Sequence, residues 1–339
     1  MSATDWSRRP LRLSPIPVTR VWGGARIQEQ LHPHIGGTSP IGESWEVSDV
    51  GENPALHSVV REGPARGRTL RELLYEDAAA ILGAEAVARL SGEPRLPLLL
   101  KYVDAQQPLS VQVHPSDELV AQLKLPDCGK CEAWVVMDAI PGAWIIYGLE
   151  PGRTFPEYLA QAREGRGAEG LHQVPVQRGD VIYLPAGTVH AIGAGVLLAE
   201  IQQSSDHTFR IYDWDRVGLD GLPRQIHLEQ AAHICPPEPA PPCPLPVPDN
   251  YTEGFCSRLE SAPFSLSELH SKESSISFPE AAGRFAIFAL LEGSAVVEPG
   301  FGAELPLRRG DVLFFPAAVE TPCRIRSAEE IWGLWMQPA

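Results

Sequence analysis

The stretch "QRGDVIYLPAGTVHAI", Gln177 to Ile192, decides the fold because its frame occurs a second time in the chain. "RRGDVLFFPAAVETP", Arg308 to Pro322, repeats the order Arg-Gly-Asp-Val, three further residues and Pro-Ala. In each copy a short apolar run lies between a Gly-Asp turn and a proline, which is typical of strands in an all-β domain. An internal repeat of this kind indicates two units with the same architecture.

The clearest boundary between the units is the proline-rich segment "CPPEPAPPCPLPVPDN" at residues 235–250. Its eight prolines exclude a helix or an inner strand. A chain of 339 residues also exceeds what one core usually organises. We therefore predict a first domain at residues 1–234, a linker at 235–250 and a second domain at 251–339.

Helical periodicity is concentrated in one part of the first domain. Apolar residues recur at three- and four-residue spacing over residues 67–90, which predicts a small insertion of two short helices. A third helix is predicted at "TFPEYLAQAREG", with Thr154 as N-cap and Gly165 as its end. The rest of the sequence is typical of strands and loops, so the predicted fold class is mainly β.

The charge balance excludes several classes of partner. With 43 acidic and 28 basic side chains, the formal net charge is −15, which argues against binding to nucleic acid or an anionic membrane. The sequence shows neither a signal peptide at its start nor an apolar run long enough to span a membrane. We expect a cytoplasmic protein whose six cysteines are free thiols.

Candidate metal ligands follow from the alternation of side chains along strands. In "LSVQVHPSDE", Gln112 and His114 are two residues apart and share one face of the predicted strand. In "KCEAWVVM", Glu132 shares a face with Lys130, whereas Cys131 points to the other side. His190 follows the tight turn of the repeated stretch.

These residues predict a metal site of four ligands: Gln112, His114, Glu132 and His190. The frame Gly-Asp-x4-Pro-x-Gly-x2-His resembles the second half of the cupin signature, and Gln-x-His with a later Glu resembles its first half. The resemblance implies a double-stranded β-helix, or jelly-roll, barrel for each unit. Zinc or another divalent first-row ion suits such a mixed set, and spacing does not choose between them.

The second copy of the frame lacks two of these residues. Ala318 stands where the first copy has Gly187, and Thr321 stands where it has His190. We therefore expect the second barrel to be metal-free.

Longer motifs make the resemblance more specific. "VWGG", "GESWEVSD", "LLLKYVDAQQPLSVQVHPSDE", "GKCEAW" and "LPAGTVHAIGAGVLLAEIQQSSDHTFRIYDWDR" together are similar to the type I mannose-6-phosphate isomerase family, in its shorter bacterial form. The motifs cover about residues 21–216. The resemblance implies a zinc-dependent aldose–ketose isomerase with one zinc ion per chain, which acts on a phosphosugar through an enediolate.

The resemblance also assigns roles to single residues. Arg210 matches the family's essential arginine, and Glu200 matches a carboxylate that lines the same pocket. Ser110 and Lys130 match residues placed near the phosphate or hydroxyls of the substrate. Chemistry makes Glu200 the candidate proton carrier and Arg210 the fixed cation that stabilises developing negative charge.

Three alternatives stay open at this stage. The protein is a non-catalytic sugar-phosphate sensor if the pocket has lost its chemistry, or another cupin enzyme acting on a phosphosugar if the metal is different. The pair Cys128 and Cys131 raises a thioredoxin-like redox role, but a strand follows these cysteines where that role requires a helix. The sequence is compatible with a monomer and with a homodimer.

Overall fold

Antiparallel strands dominate the computed structural model of the chain, which describes residues 5–36, 40–90, 92–234, 236, 240–247, 253–272, 274–281, 283–300, 302–319 and 322–339. In chain order, the strands described before residue 235 are β1 (Leu11–Arg12), β2 (Ile16–Gly24), β3 (Ile41–Val47), β4 (Leu98–Ala105), β5 (Val111–Val113), β6 (Glu132–Ala139), β7 (Trp144–Leu149), β8 (Leu171–Pro175), β9 (Val181–Leu184), β10 (His190–Ile192), β11 (Val196–Gln203) and β12 (Phe209–Tyr212). Those after residue 252 are β13 (Gly254–Glu260), β14 (Phe264–Lys272), β15 (Ser275–Ser277), β16 (Ala286–Glu292), β17 (Ser294–Glu298), β18 (Leu305–Arg308), β19 (Val312–Phe315), β20 (Arg324–Arg326) and β21 (Glu330–Pro338).

The helices are short and lie between strands. The α-helices are α1 (Leu70–Glu76), α2 (Ala78–Leu82), α3 (Ala84–Ala88), α4 (Asp117–Leu123), α5 (Phe155–Arg163) and α6 (Leu228–Ala231). Single helical turns of other types are 3-10 turns at Asp5–Arg8 and Pro54–Leu56 and a π-helical turn at Ile27–Leu31. Within the described ranges, every helix is too short or too polar to cross a membrane.

Two pairs of sheets divide the molecule into what we call the first and the second unit. The first unit contains a six-stranded sheet, β2-β3-β4-β11-β6-β9, and a five-stranded sheet, β12-β5-β10-β7-β8. The second unit contains a six-stranded sheet, β1-β19-β16-β21-β14-β13, and a four-stranded sheet, β15-β20-β17-β18. When β1, β2 and β12 are left out and the second six-stranded sheet is read from its other edge, the two units have the same strand order. Strand β3 is then equivalent to β13, β11 to β21 and β9 to β19. The internal repeat of the sequence therefore corresponds to a repeat in topology.

Each unit has an apolar interior between its two sheets. In the first unit, Trp134 and Leu198 from one sheet pack with Ile145 and Ile192 from the other. A third and larger core joins the outer face of the first unit's six-stranded sheet to the equivalent face of the second unit and to helices α1 and α2; its members include Leu70, Leu74, Tyr102, Met137, Phe314 and Leu334. The two units therefore share one continuous apolar interface.

The mainly β prediction is confirmed, and so is the predicted helix at α5. Thr154 caps this helix by accepting a hydrogen bond from the backbone N–H of Glu157. The prediction of two helices over residues 67–90 was wrong, because the segment forms three. Asp77 ends α1 and caps α2, and Gly83, with φ of 95°, separates α2 from α3. Neither break interrupts the apolar spacing, so periodicity did not reveal the third helix.

The domain boundaries and the closure of each sheet pair into a barrel stay predictions. Matching strand orders support them, although Leu11 and Arg12 pair with Phe314 and Leu313 of the second unit's sheet. The described linker residues, 236 and 240–247, form neither helix nor strand, and Leu245 donates its N–H to Val181. The other linker residues, and Thr321 at the position of the missing histidine, lie outside the described residues.

Candidate active site and metal centre

Three side chains that can bind a metal ion converge beside strands β5, β6 and β10. His114 follows β5, whereas Glu132 and His190 are the first residues of β6 and β10. Nε2 of His114 lies 3.4 Å from Oε1 of Glu132, and Nε2 of His190 lies 3.5 Å from Oε2. All three ligand atoms lie within 4.8 Å of one another, and all three residues are buried. The cluster therefore presents two nitrogens and a carboxylate away from bulk water.

Hydrogen bonds on the far side of each imidazole ring direct Nε2 into the cluster. Nδ1 of His114 lies 2.7 Å from the carbonyl oxygen of His207, and Nδ1 of His190 lies 2.8 Å from that of Thr188. A carbonyl accepts only, so each Nδ1 carries the proton and each Nε2 keeps its lone pair. Burial lowers the pKa of His114 to about 3 and also lowers that of His190, so both rings are neutral, as metal ligands must be.

Glu132 supplies the negative charge of the cluster. Burial by itself would raise the pKa of its carboxyl, but the charge of Lys130 and its contact with His114 lower that pKa well below the usual range. Nζ of Lys130 lies 2.7 Å from Oε1 of Glu132, yet neither carboxylate oxygen accepts a hydrogen bond of good geometry among the described residues. A buried carboxylate in this state, beside two imidazole lone pairs, fits a divalent cation.

Gln112 completes the group of four predicted ligands. It is opposite His190 in the pairing of β5 with β10, and its Nε2 lies 3.3 Å from Nε2 of His190. A half-turn of the amide places its carbonyl oxygen there instead. The structure thus brings together Gln112, His114, Glu132 and His190, and the resulting set of nitrogen and oxygen donors suits zinc and similar ions.

The predicted substrate-binding residues lie next to this group. Nε of Arg210 donates to Oγ of Ser110 at 3.3 Å, and Oγ of Ser110 lies 3.4 Å from the terminal amide atom of Gln112 that does not face His190. Lys130 is buried, with Nζ 3.5 Å from Nε2 of His114. Arg210 is therefore linked to the ligand group through one serine, and the charge of Lys130 is directed at Glu132.

Glu200 lies on the neighbouring strand β11 with two fixed partners. Nζ of Lys101 lies 2.8 Å from its Oε1, and Nε1 of Trp134 donates to its Oε2 at 3.0 Å. Burial, and then the negative charge of Glu132, raise the pKa of the Glu200 carboxyl above its usual range. A carboxyl with a raised pKa, held in one orientation, is suited to accept and return a proton.

One cavity of about 380 Å³, a volume within the usual range for a small-molecule site, lies beside the ligand cluster and is lined by Gln112, the fourth predicted ligand. Its lining contains Ser110, Gln112, Lys130, Glu200 and Arg210, together with five further charged residues: Arg20, Glu43, Lys101, Asp206 and Arg224. The sequence analysis placed none of Arg20, Glu43 and Arg224 in the site. The predicted residues are therefore only part of a more strongly charged pocket.

Two of these residues, Glu43 and Lys101, are buried, and each acts on the other's charge. Burial alone would raise the pKa of Glu43, but the charges of Lys101 and Arg20 lower it to about 2. The pKa of Lys101 is raised because the charges of Glu200 and Glu43 outweigh its burial. A single lysine inside the apolar run "LLLKYV" was the available signal, because a buried lysine needs a partner.

The cysteine pair lies beside the site without entering it. Cys131 turns away from Glu132 and accepts a hydrogen bond from the N–H of Ala186, with an N···S distance of 3.4 Å. Burial raises the pKa of both thiols, that of Cys128 to about 12. The five cysteines among the described residues are free thiols. These thiols stay protonated at neutral pH, which argues against a redox role.

Sequence comparison assigns the chain to a family. The family model "Phosphomannose isomerase type I, catalytic domain" matches residues 11–131. The mannose-6-phosphate isomerase of Streptococcus mutans is 33% identical over 319 residues, which are 92% of this chain and 94% of that protein. The chain belongs to the type I mannose-6-phosphate isomerase family. Mannose-6-phosphate isomerase ManA of Bacillus subtilis is 38% identical over 225 residues, or 66% of this family member and 67% of ManA.

Solved structures of mannose-6-phosphate isomerases share the fold over nearly the whole chain. A crystal structure of the Bacillus subtilis enzyme superposes with a TM-score of 0.78 at 27% identity and covers 97% of this chain and 99% of its own. A zinc-bound mannose 6-phosphate isomerase superposes with a TM-score of 0.71 at 18% identity, covering 97% and 99%. The second match shows the fold alone.

Proposed function

We propose that this protein interconverts mannose 6-phosphate and fructose 6-phosphate by aldose–ketose isomerisation through an enediolate. One observation carries the proposal: in a member of this family, a buried carboxyl with a raised pKa and an arginine line one cavity, and Gln112 and Lys130 in the same lining contact the metal-binding cluster. Isomerisation requires a proton carrier and stabilisation of negative charge on the sugar oxygens, and these groups supply both.

The proposed cofactor is one zinc ion per chain, held by Gln112, His114, Glu132 and His190. The neutral rings, the buried carboxylate without good hydrogen bonds and the adjacent amide support this assignment. A bound zinc ion supplies Lewis-acid polarisation of substrate oxygens.

The proposed roles of the chain's own residues follow from their contacts. Glu200 takes the proton from C2 of the aldose and returns it to C1, and the hydroxyl proton of O2 passes to O1, so that the aldose becomes the ketose without net gain or loss of protons. Lys101 and Trp134 hold the carboxylate of Glu200 in place. Arg210 provides a cation that does not deprotonate, so it stabilises the anionic intermediate in either direction. Ser110 fixes the orientation of Arg210, and Lys130 lies where it can bind a substrate hydroxyl near the metal ligands.

The alternatives are not favoured by the site. A sugar-phosphate sensor has no use for a buried, oriented carboxyl such as Glu200, and the site combines a glutamine with two histidines rather than the His-x-His pattern expected of other cupin enzymes. We further propose that the enzyme acts on its small substrate in the cytoplasm, as a monomer or homodimer, without nucleic acid or membrane partners. The net charge of −15 supports this setting.

The test is incubation of the purified protein with mannose 6-phosphate in deuterated water, followed by NMR. We expect deuterium incorporation at the exchanging carbon and formation of fructose 6-phosphate, both abolished by chelation and restored by zinc. Absence of exchange and of product from protein with stoichiometric metal would overturn the proposal.

A further inference from the structure

Three arginines from separate parts of the chain line the cavity, and the protein holds each of them along one edge. Nε and Nη2 of Arg20 both donate to Glu43 at 3.1 Å. Nη1 of Arg210 donates to the carbonyl oxygen of Gln225 at 2.7 Å, in addition to its bond with Ser110. Nε and Nη2 of Arg224 both donate to Asp213, the first at 2.7 Å. The three guanidinium groups are therefore fixed in position by the protein.

Each of these arginines keeps one terminal nitrogen unused. In the described part of the chain, Nη1 of Arg20, Nη2 of Arg210 and Nη1 of Arg224 make no hydrogen bond. Fixed guanidinium groups with free N–H donors are the usual protein partners of phosphate, whose oxygens accept several such bonds at once. The cavity thus offers donors for a tetrahedral anion that the rest of the pocket does not use.

The charge balance around two of the arginines favours an anion. Arg210 forms no ion pair with any described carboxylate. Asp213 is shared by Arg216 and Arg224, so one carboxylate faces two cations. The pKa of Arg210 is lowered by burial and then by the nearby charge of Arg224. One carboxylate, Asp206, also lines the cavity and lies close enough to Arg20 to interact with its charge.

The loop that carries Arg224 is tied to Arg210 through its backbone. In this loop, residues 213–227, the N–H of His227 donates to the carbonyl oxygen of Arg210 at 2.7 Å, and the N–H of Arg210 donates to Nδ1 of His227 at 3.1 Å. A tight turn, with the N–H of Gly218 2.7 Å from the carbonyl oxygen of Leu222, returns the chain towards the cavity. Arg224 is thus preorganised next to Arg210.

We propose that Arg224 and Arg20 bind the phosphoryl group of the substrate, so that residues 213–227 make the enzyme select phosphomonoesters over free sugars. This inference rests on the proposed isomerase function. Lys130 is then not the phosphate ligand, because its ammonium group is already directed at Glu132 and His114. The phosphate lies instead beside Arg20 and Arg224, with the reacting end of the sugar towards Arg210 and the metal ligands.

The test compares three variants for affinity and turnover. Arg224→Gln and Arg20→Gln each remove donors from the proposed site, whereas Arg216→Gln is the matched control. Arg216 bonds to the same Asp213, but its Nη1 donates to the carbonyl oxygen of Pro108 at 2.6 Å and it does not line the cavity. The dissociation constant of inorganic phosphate is measured by titration calorimetry, and KM and kcat are measured with mannose 6-phosphate.

We expect Arg224→Gln to raise both the phosphate dissociation constant and KM by about tenfold or more, since a hydrogen bond to a charged group is lost. Because the phosphate is remote from the reacting carbons, kcat should change by less than about threefold. Arg20→Gln should likewise raise the phosphate dissociation constant and KM. Arg216→Gln should leave phosphate affinity and KM within about twofold.

Unchanged phosphate affinity in Arg224→Gln would overturn the proposal, and so would equal losses in Arg224→Gln and Arg216→Gln, which would mean that the loop acts only through Asp213. If circular dichroism shows that Arg224→Gln misfolds, Arg20→Gln decides by the same criterion. A wild-type protein that binds phosphate through Arg224 but does not isomerise mannose 6-phosphate would refute the proposed function and leave the anion site standing.

Discussion

The two units of this molecule have the same strand order but different side chains at equivalent positions. In the first unit, Glu132 is opposite Leu184 in the β6–β9 ladder; in the second, Ala286 is opposite Phe315, the same position of the repeated frame. Two residues further along these strands, Trp134 on β6 is opposite Glu200, whereas Phe288 on β16 is opposite Trp335. The second unit therefore carries alanine and tryptophan where the first carries the two carboxylates of the candidate site.

The residues that both copies share form a turn and no active site. Gly179 and Gly310 have φ values of 91° and 90°, in the left-handed region that favours glycine. Asp180 accepts a hydrogen bond from the N–H of Gln177 at 2.9 Å, and Asp311 accepts the same bond from Arg308 at 3.0 Å. The repeat preserves the turn that leads into strands β9 and β19, and catalytic chemistry depends on residues outside the shared frame.

The largest expected effect on metal content and turnover comes from replacing Glu132 of the first unit by alanine, the residue at the equivalent position of the second unit. Glu132→Ala removes the carboxylate of the ligand cluster, so bound metal should fall from the proposed one ion per chain to near zero in inductively coupled plasma mass spectrometry. Turnover should fall by about a thousandfold or more, because the metal contributes several kcal/mol of charge stabilisation. The control is His270→Ala, on β14 of the second unit, which should leave both the metal content and the turnover unchanged. Stoichiometric metal in Glu132→Ala would refute the ligand assignment.

A second variant tests a strand that only the first unit has. Strand β12, which carries Arg210, has no equivalent in the four-stranded sheet of the second unit. Arg210→Ala should leave metal content unchanged and reduce kcat/KM by about 100- to 1000-fold, the usual loss when an electrostatic stabiliser of the transition state is removed. Arg324→Ala, an exposed arginine on β20, should change neither quantity. Near-normal activity of Arg210→Ala would exclude its catalytic role.

Sequence reasoning succeeded where a single strand determines the outcome. Gln112 and His114 are two residues apart at the end of β5, and Lys130 and Glu132 are two residues apart at the start of β6, so the period of two was enough to direct both pairs towards the ligand cluster. His190 could be added to this group because the repeated frame predicts a turn followed by a strand, and His190 begins that strand. The mainly β fold followed from the same short apolar runs and turn residues.

The rest of the site depends on pairing between distant strands, which the sequence does not specify. Arg20 on β2 reaches Glu43 on β3, and Lys101 on β4 reaches Glu200 on β11, only because these strands are neighbours in one sheet. Arg224 is in a loop without periodicity, so its approach to the cavity was invisible. The three helices of residues 67–90 were misjudged for a related reason, because a cap at Asp77 does not disturb apolar spacing.

The tryptophans of the two units should separate chemistry from packing. Trp134→Phe removes the donor to Glu200 and should lower kcat by about tenfold, since a buried oxygen loses its hydrogen bond. The Nε1 of Trp335 is buried without a hydrogen bond in the described residues. Trp335→Phe loses no hydrogen bond there but leaves a cavity in the core, so it should cost about 1–2 kcal/mol of unfolding free energy and leave kcat within about twofold. Equal effects of both variants on kcat would remove the functional distinction between the units.

The smallest effect concerns the interface that joins the units, where stability should depend on pH through His32. This buried ring lies 2.8 Å from Oε1 of Glu46, and Asp311 and Arg308 of the second unit also act on it. Burial alone would lower the pKa of His32, but the charge of Glu46 raises it above the ordinary value.

Because the folded pKa exceeds the unfolded value of about 6.5, protonated His32 stabilises the fold fully below that pH, and the contribution is lost as pH rises through the folded pKa. Urea unfolding of wild type and His32→Gln at pH 6 and at successively higher pH tests this. The stability advantage of wild type should be greatest at pH 6 and should shrink as pH rises. If the stability advantage of wild type over His32→Gln grows with pH, His32 is neutral in the folded protein. The ion pair between His32 and Glu46 would then not contribute to the stability of the interface between the units.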